Sequence, residues 1–189
     1  TFCRGKACGF VQPFCDSPLE HDNVGENIFV SIISNAREYV YIFTPYLILG
    51  TEISQSLIRA ARSGVDVRIV TPGIPDKKLI YIQTKANFRQ LIEAGVHIYK
   101  YTPGFIHSKC IVADDTTAIV GTCNLDFRSL YWNFEDFVYM YNTQTVLKVK
   151  EDALETFEVS EQISKESALN KSLITRMLQS VLQLFAPLL

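Results

Sequence analysis

The sequence predicts an α/β fold, with a mixed, mostly parallel β-sheet flanked by helices, on three observations. The segments AARSGVDVRIV (residues 60–70) and LIEAGVHIYKY (residues 91–101) both read helix, Gly, Val, strand, and strands separated by such helices pair in parallel through crossover connections. Two short apolar runs, Cys110 to Ala113 and Ala118 to Val120, flank the polar Asp114-Asp115-Thr116-Thr117 and form a hairpin. Apolar residues make up 48% of the 189 residues and charged ones 20%, enough for a single buried core.

The elements follow in order. Residues 1–22 mix Gly, Cys, Pro and charge without a period, and are expected to form an irregular N-terminal segment with at most one short strand around Phe10 to Phe14. Asn23 is a good N-cap with Glu26 behind it, and Val24, Ile28, Phe29, Ile32, Ile33 and Ala36 recur at helical spacing. Tyr39 to Thr44 is β-branched and aromatic, a buried strand closed by Pro45. From Thr51 to Arg62, Ile53, Leu57, Ile58 and Ala61 make one helix face, and Gly64 stops it ahead of the strand Val65 to Val70. A helix from Lys77 to Ala94 stops at Gly95 and feeds the strand Val96 to Tyr101. After the hairpin, a strand from Phe134 to Tyr141 precedes helical sequence. The expected organisation is therefore a segment 1–22, a catalytic domain 23–165 and an amphipathic C-terminal helix 166–189. That helix carries Ser172, Thr175, Arg176, Gln179, Ser180 and Gln183 on one face and Leu173, Met177, Val181 and Leu184 on the other, a face for the core, a missing partner or a membrane surface.

Eighteen basic residues against twenty acidic ones give a net charge of -2, which argues against nucleic acid as a partner. There is no uninterrupted apolar run of about 18 residues, and the start at Thr1, with neither Met nor a signal-peptide pattern, reads as that of a fragment. Five cysteines, an odd number, fit a reducing compartment. A zinc site of Cys3, Cys8, Cys15 and His21 lacks the short Cys-x-x-Cys knuckle, so the three cysteines read as plain thiols and no metal or other cofactor is expected.

Chemistry concentrates between Phe105 and Glu135. An extended chain points His107 and Lys109 to the same side, so a phosphate would meet an imidazole that titrates near neutrality together with a fixed cation. Gly121 permits close backbone approach to a ligand, Thr122 and Asn124 add donors for phosphoryl charge, and Glu135 is placed to hold the remote nitrogen of His107. His97 reads as a packed strand residue. Arg128, beside Asp126 and Ser129, reads as a second phosphate contact or as one arm of a loop-bracing ion pair, and Tyr46 after Pro45 reads as a candidate substrate contact.

His107, Lys109, Asp114, Gly121 and Asn124 stand at the spacing HxKxxxxD followed by G(S/T)xN, which resembles the phospholipase D superfamily. VYIFTPYLI, SGVDVRIVTPGIPD, LIEAGVHIYKYTPGFIHSK, VGTCNLDFRSLYWNFE and LQSVLQLFAPLL are similar to the second half of bacterial cardiolipin synthases, over nearly the whole chain from about Asp16. The resemblance implies a phospholipase D-like fold and phosphatidyl transfer through a phosphohistidine. Two phosphatidylglycerol molecules would give cardiolipin and glycerol, with two motifs face to face. It implies a catalytic set of His107, Lys109, Asp114, Asn124 and Glu135, with Lys109, Gly121, Thr122 and Asn124 on the phosphate. His107 would be acid and base rather than nucleophile, while Asp114 at a hairpin tip also reads as a turn residue. The implied partners are anionic phospholipids, a membrane surface, and the missing N-terminal half or a second copy. The implied location is the bacterial cell membrane, with transmembrane helices in the missing part. One motif in place of two leaves open a homodimeric phosphodiesterase or nuclease, or an inactive fragment.

Overall fold

The computed structural model describes residues 9–19, 21–74, 76–170 and 177. Its elements are β1 (Phe10–Asp16), α1 (Val24–Asn35), β2 (Tyr39–Phe43), α2 (Thr51–Arg62), β3 (Asp66–Pro72), α3 (Lys78–Glu93), β4 (His97–Tyr101), β5 (Cys110–Ala113), β6 (Thr117–Gly121), α4 (Phe127–Tyr131), β7 (Glu135–Tyr141), α5 (Gln144–Glu158), β8 (Ser160–Gln162) and α6 (Lys165–Leu169). One eight-stranded sheet runs in the order β1-β7-β6-β5-β2-β3-β4-β8.

The α/β class and the mixed sheet hold. The sheet is parallel, however, only where β2, β3 and β4 lie side by side; every other pairing between its strands is antiparallel, and a single parallel bridge outside the strands joins Leu47 to Leu125. Crossover helices force parallel pairing for β2 to β4 alone, while the hairpin strands β5 to β7 dock antiparallel on β2, and β1 and β8 close the two edges the same way. Gly64 and Gly95 end α2 and α3 with φ of 94° and 103°, the left-handed conformation that stops a helix without a Cβ penalty.

The two-residue alternation of the strands sorts the core onto two faces. Val40, Ile42, Val67, Ile69, Ile98, Ile111 and Ile119 pack against Phe29 and Ile33 of α1, Ile53 and Leu57 of α2, and Phe88 and Leu91 of α3. Tyr39, Tyr41, Phe43, Val70, Val112 and Met140 pack against Val146, Ala153 and Phe157 of α5. Every residue of β2 is buried, as a central strand covered on both faces requires, and each such aliphatic side chain contributes about 1.5–3 kcal/mol relative to exposure.

β1 is a seven-residue strand rather than a short run, paired with β7 from Phe10↔Tyr141 to Asp16↔Glu135. Pro13 is tolerated because the strand lies at an edge. His97 is not packed away: it is exposed at the start of β4, and its Nδ1 lies 2.9 Å from Gln162 Nε2. The segment expected as an amphipathic helix from residue 166 lies, beyond Asn170, outside the described residues apart from Met177, as do Cys3 and Cys8. Among the described residues no helix is long and apolar enough to cross a membrane.

Candidate active site

The C-terminal ends of β2, β3, β4 and β6 and the starts of β5 and β7 meet at one edge of the sheet, and the loops there carry the polar residues. His107 and Lys109 lie in the extended loop ahead of β5. They point the same way: Lys109 Nζ is 2.9 Å from His107 Nδ1 and donates to the His107 carbonyl at 2.6 Å. His107 is exposed, and the Phe105 ring lies beside it with centroids 5.7 Å apart.

The neighbouring loop is tied down by backbone bonds. Gly121 N–H donates to the Lys109 carbonyl at 3.1 Å, which fixes the end of β6 against the Lys109 backbone. A Cβ at Gly121 would run into the carbonyl oxygen of Asp136. This glycine therefore serves the β6–β7 contact, in place of the close ligand approach expected of it. Thr122 donates its hydroxyl to Glu135 Oε2 and accepts the Asp136 N–H at 3.0 Å. Asn124 Nδ2 donates to Ser129 Oγ at 3.0 Å, and Ser129 N–H donates to Asp126 Oδ1 at 2.7 Å, which caps α4. Asn124 Oδ1 is buried and has no partner among the described residues, so one acceptor of this amide stays available.

Two further assignments, those of Glu135 and Asp114, meet other partners. Glu135 is 5% exposed, and its carboxylate is engaged by Thr122 and by Asn133 Nδ2 at 3.2 Å rather than by the His107 ring. The His107 Nδ1 position it was expected to fill is taken by the Lys109 ammonium. Asp114 lies past the far end of β5 from Lys109, about 16 Å away at the rise of an extended chain. Its carboxylate accepts the backbone N–H groups of Arg37, Glu38 and Tyr39 at 2.7, 2.9 and 3.0 Å. The spacing of the motif thus places a brace for the start of β2 there.

Arg128 is exposed and makes no ion pair among the described residues, so the loop-bracing pair is absent. Tyr46 donates its hydroxyl to Asp76 Oδ2 at 2.5 Å. A residue the sequence did not single out is Thr44. Its hydroxyl accepts the Leu125 N–H at 3.0 Å and donates to the Tyr46 carbonyl at 2.6 Å, joining the loop after β2 to the Asn124 loop. The only signal for it was its place directly before Pro45.

The electrostatics favour a neutral imidazole beside a cation. Burial and then the Lys109 charge hold His107 below the usual histidine range, against a smaller opposing pull from Asp76. Burial also lowers Lys109, opposed by Glu135 and Asp126. The buried Asp126 carboxyl is pushed up. Replacing Lys109 by Met removes the like charge, so the His107 ring protons should titrate at a higher pH than in the native chain, followed by NMR. An unchanged or lower midpoint would mean that Lys109 does not set the protonation of this ring.

The family model described as the cardiolipin synthase, phospholipase D-like domain matches residues 29–157. A cardiolipin synthase of Alkalihalophilus pseudofirmus is 38% identical over 97% of the chain and 37% of its own length. The chain spans 36–40% of the length of the curated relatives it matches. Among solved structures, the phosphatidylserine synthase of Haemophilus influenzae superposes with a TM-score of 0.72 at 16% identity, over 94% of this chain and 45% of that one. The phospholipase D family member Nuc of Salmonella typhimurium superposes with a TM-score of 0.69 at 18% identity, over 82% of this chain and 98% of that one.

Proposed function

The chain belongs to the cardiolipin synthase, phospholipase D-like domain family, and from that premise we propose that it is the second catalytic half of a phosphatidyl transferase that converts two phosphatidylglycerol molecules into cardiolipin and glycerol. The observation that carries the reading is the convergence of the His107 imidazole and the Lys109 ammonium, 2.9 Å apart, on one exposed face. A tetrahedral anion seated there meets a fixed cation and a group able to move a proton.

With Lys109 donating to Nδ1, the neutral His107 ring carries its proton on Nε2. That neutral ring is the resting form. To serve as acid it takes a second proton on Nδ1 while Lys109 keeps its bond to the His107 carbonyl, and the imidazolium then presents its Nε2 proton to the substrate side. His107 then acts as acid and base, and the nucleophilic imidazole comes from a second motif outside this chain. The second imidazole attacks phosphorus, the bond from phosphorus to the glycerol oxygen breaks, and glycerol leaves with the Nε2 proton of the His107 imidazolium, which becomes the neutral ring. A hydroxyl of the second phosphatidylglycerol then gives its proton to His107 as its oxygen displaces the imidazole. Lys109 holds the phosphate oxygens, together with the Nδ2 hydrogen of Asn124 that does not bond Ser129. Thr122 and Glu135 keep the loop in place, since both side chains are bonded to each other. The chain would act at the cell membrane, where its lipid substrates are.

The test joins the chain to the N-terminal part of a cardiolipin synthase relative and supplies phosphatidylglycerol in detergent. Equal amounts of cardiolipin and glycerol are the expected products. A folded joined protein that makes neither would defeat the reading. The match over 98% of the Salmonella Nuc chain supports a second reading, a single-motif phosphodiesterase working as a homodimer. Cleavage of single-stranded DNA in EDTA by the unjoined chain would favour it, although a net charge of -2 speaks against such a substrate.

A further inference from the structure

Tyr46, Asp76 and Phe105 come from three successive loops, those that follow β2, β3 and β4. These strands run parallel, so the loops gather at their carboxyl ends, where α/β sheets bind ligands. The three residues line one narrow cleft together with Lys77, Tyr81 and Thr84. The Phe105 ring also lies against His107, with centroids 5.7 Å apart, which places the cleft beside the imidazole.

The Tyr46 hydroxyl donates to Asp76 Oδ2 at 2.5 Å. Burial and the bond to Asp76 push this hydroxyl up to about 12, so it keeps its proton at neutral pH and remains a donor. Asp76 itself is exposed and makes no ion pair among the described residues. One donor on Oδ2 leaves Oδ1 open as an acceptor. A phosphate site has little use for such a group. Lys109 and Asn124 Nδ2, which face the phosphate oxygens, are donors, whereas a carboxylate repels the same anion. What a carboxylate can hold there is a hydroxyl. Its charge also reaches the ring, since Asp76 opposes the lowering of His107 by burial and by Lys109.

We propose that Asp76, steadied by Tyr46, selects the alcohol that receives the phosphatidyl group, by accepting a hydrogen bond from a second hydroxyl on the carbon next to the one that reacts. The inference rests on the functional reading above and adds to it a residue that chooses the acceptor. The headgroup of phosphatidylglycerol ends in two hydroxyls on adjacent carbons. One gives its proton to His107 while its oxygen bonds phosphorus and the bond from phosphorus to the second imidazole breaks. The other keeps its proton and donates to Asp76 Oδ1, which holds the reacting oxygen in line. An alcohol with a single hydroxyl lacks this contact.

The test is a competition between propylene glycol and n-propanol, which differ by that one hydroxyl. Both are given at equal concentration to the joined protein with phosphatidylglycerol in detergent, and the two phosphatidyl alcohols are measured by mass spectrometry. Both products come from the same enzyme molecules, so their ratio does not depend on how much of a variant folds. The native protein should prefer the diol about tenfold, a modest discrimination because Asp76 is open to water. Asp76→Ala should make the yields nearly equal, and Asp76→Asn, which keeps an acceptor oxygen, should lie between. Equal yields from the native protein would overturn the inference, as would the native ratio in Asp76→Ala. Loss of transfer to both alcohols in a folded Asp76→Ala protein would place Asp76 in the chemistry instead of the choice of acceptor, and would overturn it too. A native joined protein that makes neither cardiolipin nor either alcohol product would sink the functional reading, whereas transfer to both alcohols alike leaves that reading standing and removes the selection by Asp76 alone.

Discussion

His107→Ala in the joined two-motif protein should lower cardiolipin formation about 100- to 10,000-fold, the usual worth of a positioned acid and base. Its thermal midpoint should stay where it is. The second expectation follows from the first observation about the site: the side chain is exposed, and its hydrogen-bond partner among the described residues is the Lys109 ammonium, which keeps its bond to the backbone carbonyl of residue 107 after the ring is gone. Loss of rate without loss of fold separates chemistry from architecture. The measurement is the initial rate of cardiolipin release beside a melting curve for both proteins. Turnover within tenfold of the native rate would remove His107 from the reaction and with it the proposed mechanism. A large fall in melting temperature would instead make the ring part of the fold.

The sequence disclosed most where the determinants are local. The helix, Gly, Val, strand repeat carries its own stop signals, and Gly64 and Gly95 do take the left-handed conformation those signals require. The shared side of His107 and Lys109 follows from two-residue periodicity, which needs no knowledge of the rest of the chain. What stayed hidden is non-local. β1 finds its partner in β7, far along the chain, and nothing within residues 10–16 announces that pairing. β8 is three residues long and gains its order from Tyr99 to Tyr101 of β4. The antiparallel seam between β2 and β5 could not be foreseen either, and it is this seam that makes the sheet less parallel than the repeat suggested. In the site, the partner of Glu135 depends on how residues 122–135 turn back on themselves. The turn brings Thr122 to the carboxylate, so a role inferred from a likeness to hydrolytic triads gave way to a structural bond.

Asp114→Ala should destabilise the folded chain by about 2–3 kcal/mol, a fall in melting temperature of about 5–10 °C for a domain of this size. Three backbone N–H groups at the start of β2 lose their acceptor at once. Two of these bonds lie in exposed surroundings, where water takes over part of the loss, so the total stays well below three full charge-assisted bonds. The turn adds a second cost. Asp114 has φ of 51°, a conformation that Asp and Asn adopt far more readily than Ala. Asp114→Asn should therefore lose less, since it keeps the backbone preference and one acceptor oxygen. Because Asp114 stands at the opposite end of β5 from Lys109, the folded fraction of either variant, in the joined protein, should retain a rate within about twofold of native. Chemical denaturation paired with rates per folded molecule distinguishes the two roles the motif allows. A rate that collapses while stability is unchanged would return Asp114 to the catalytic set and would mean that the brace on β2 is not what this carboxylate is for.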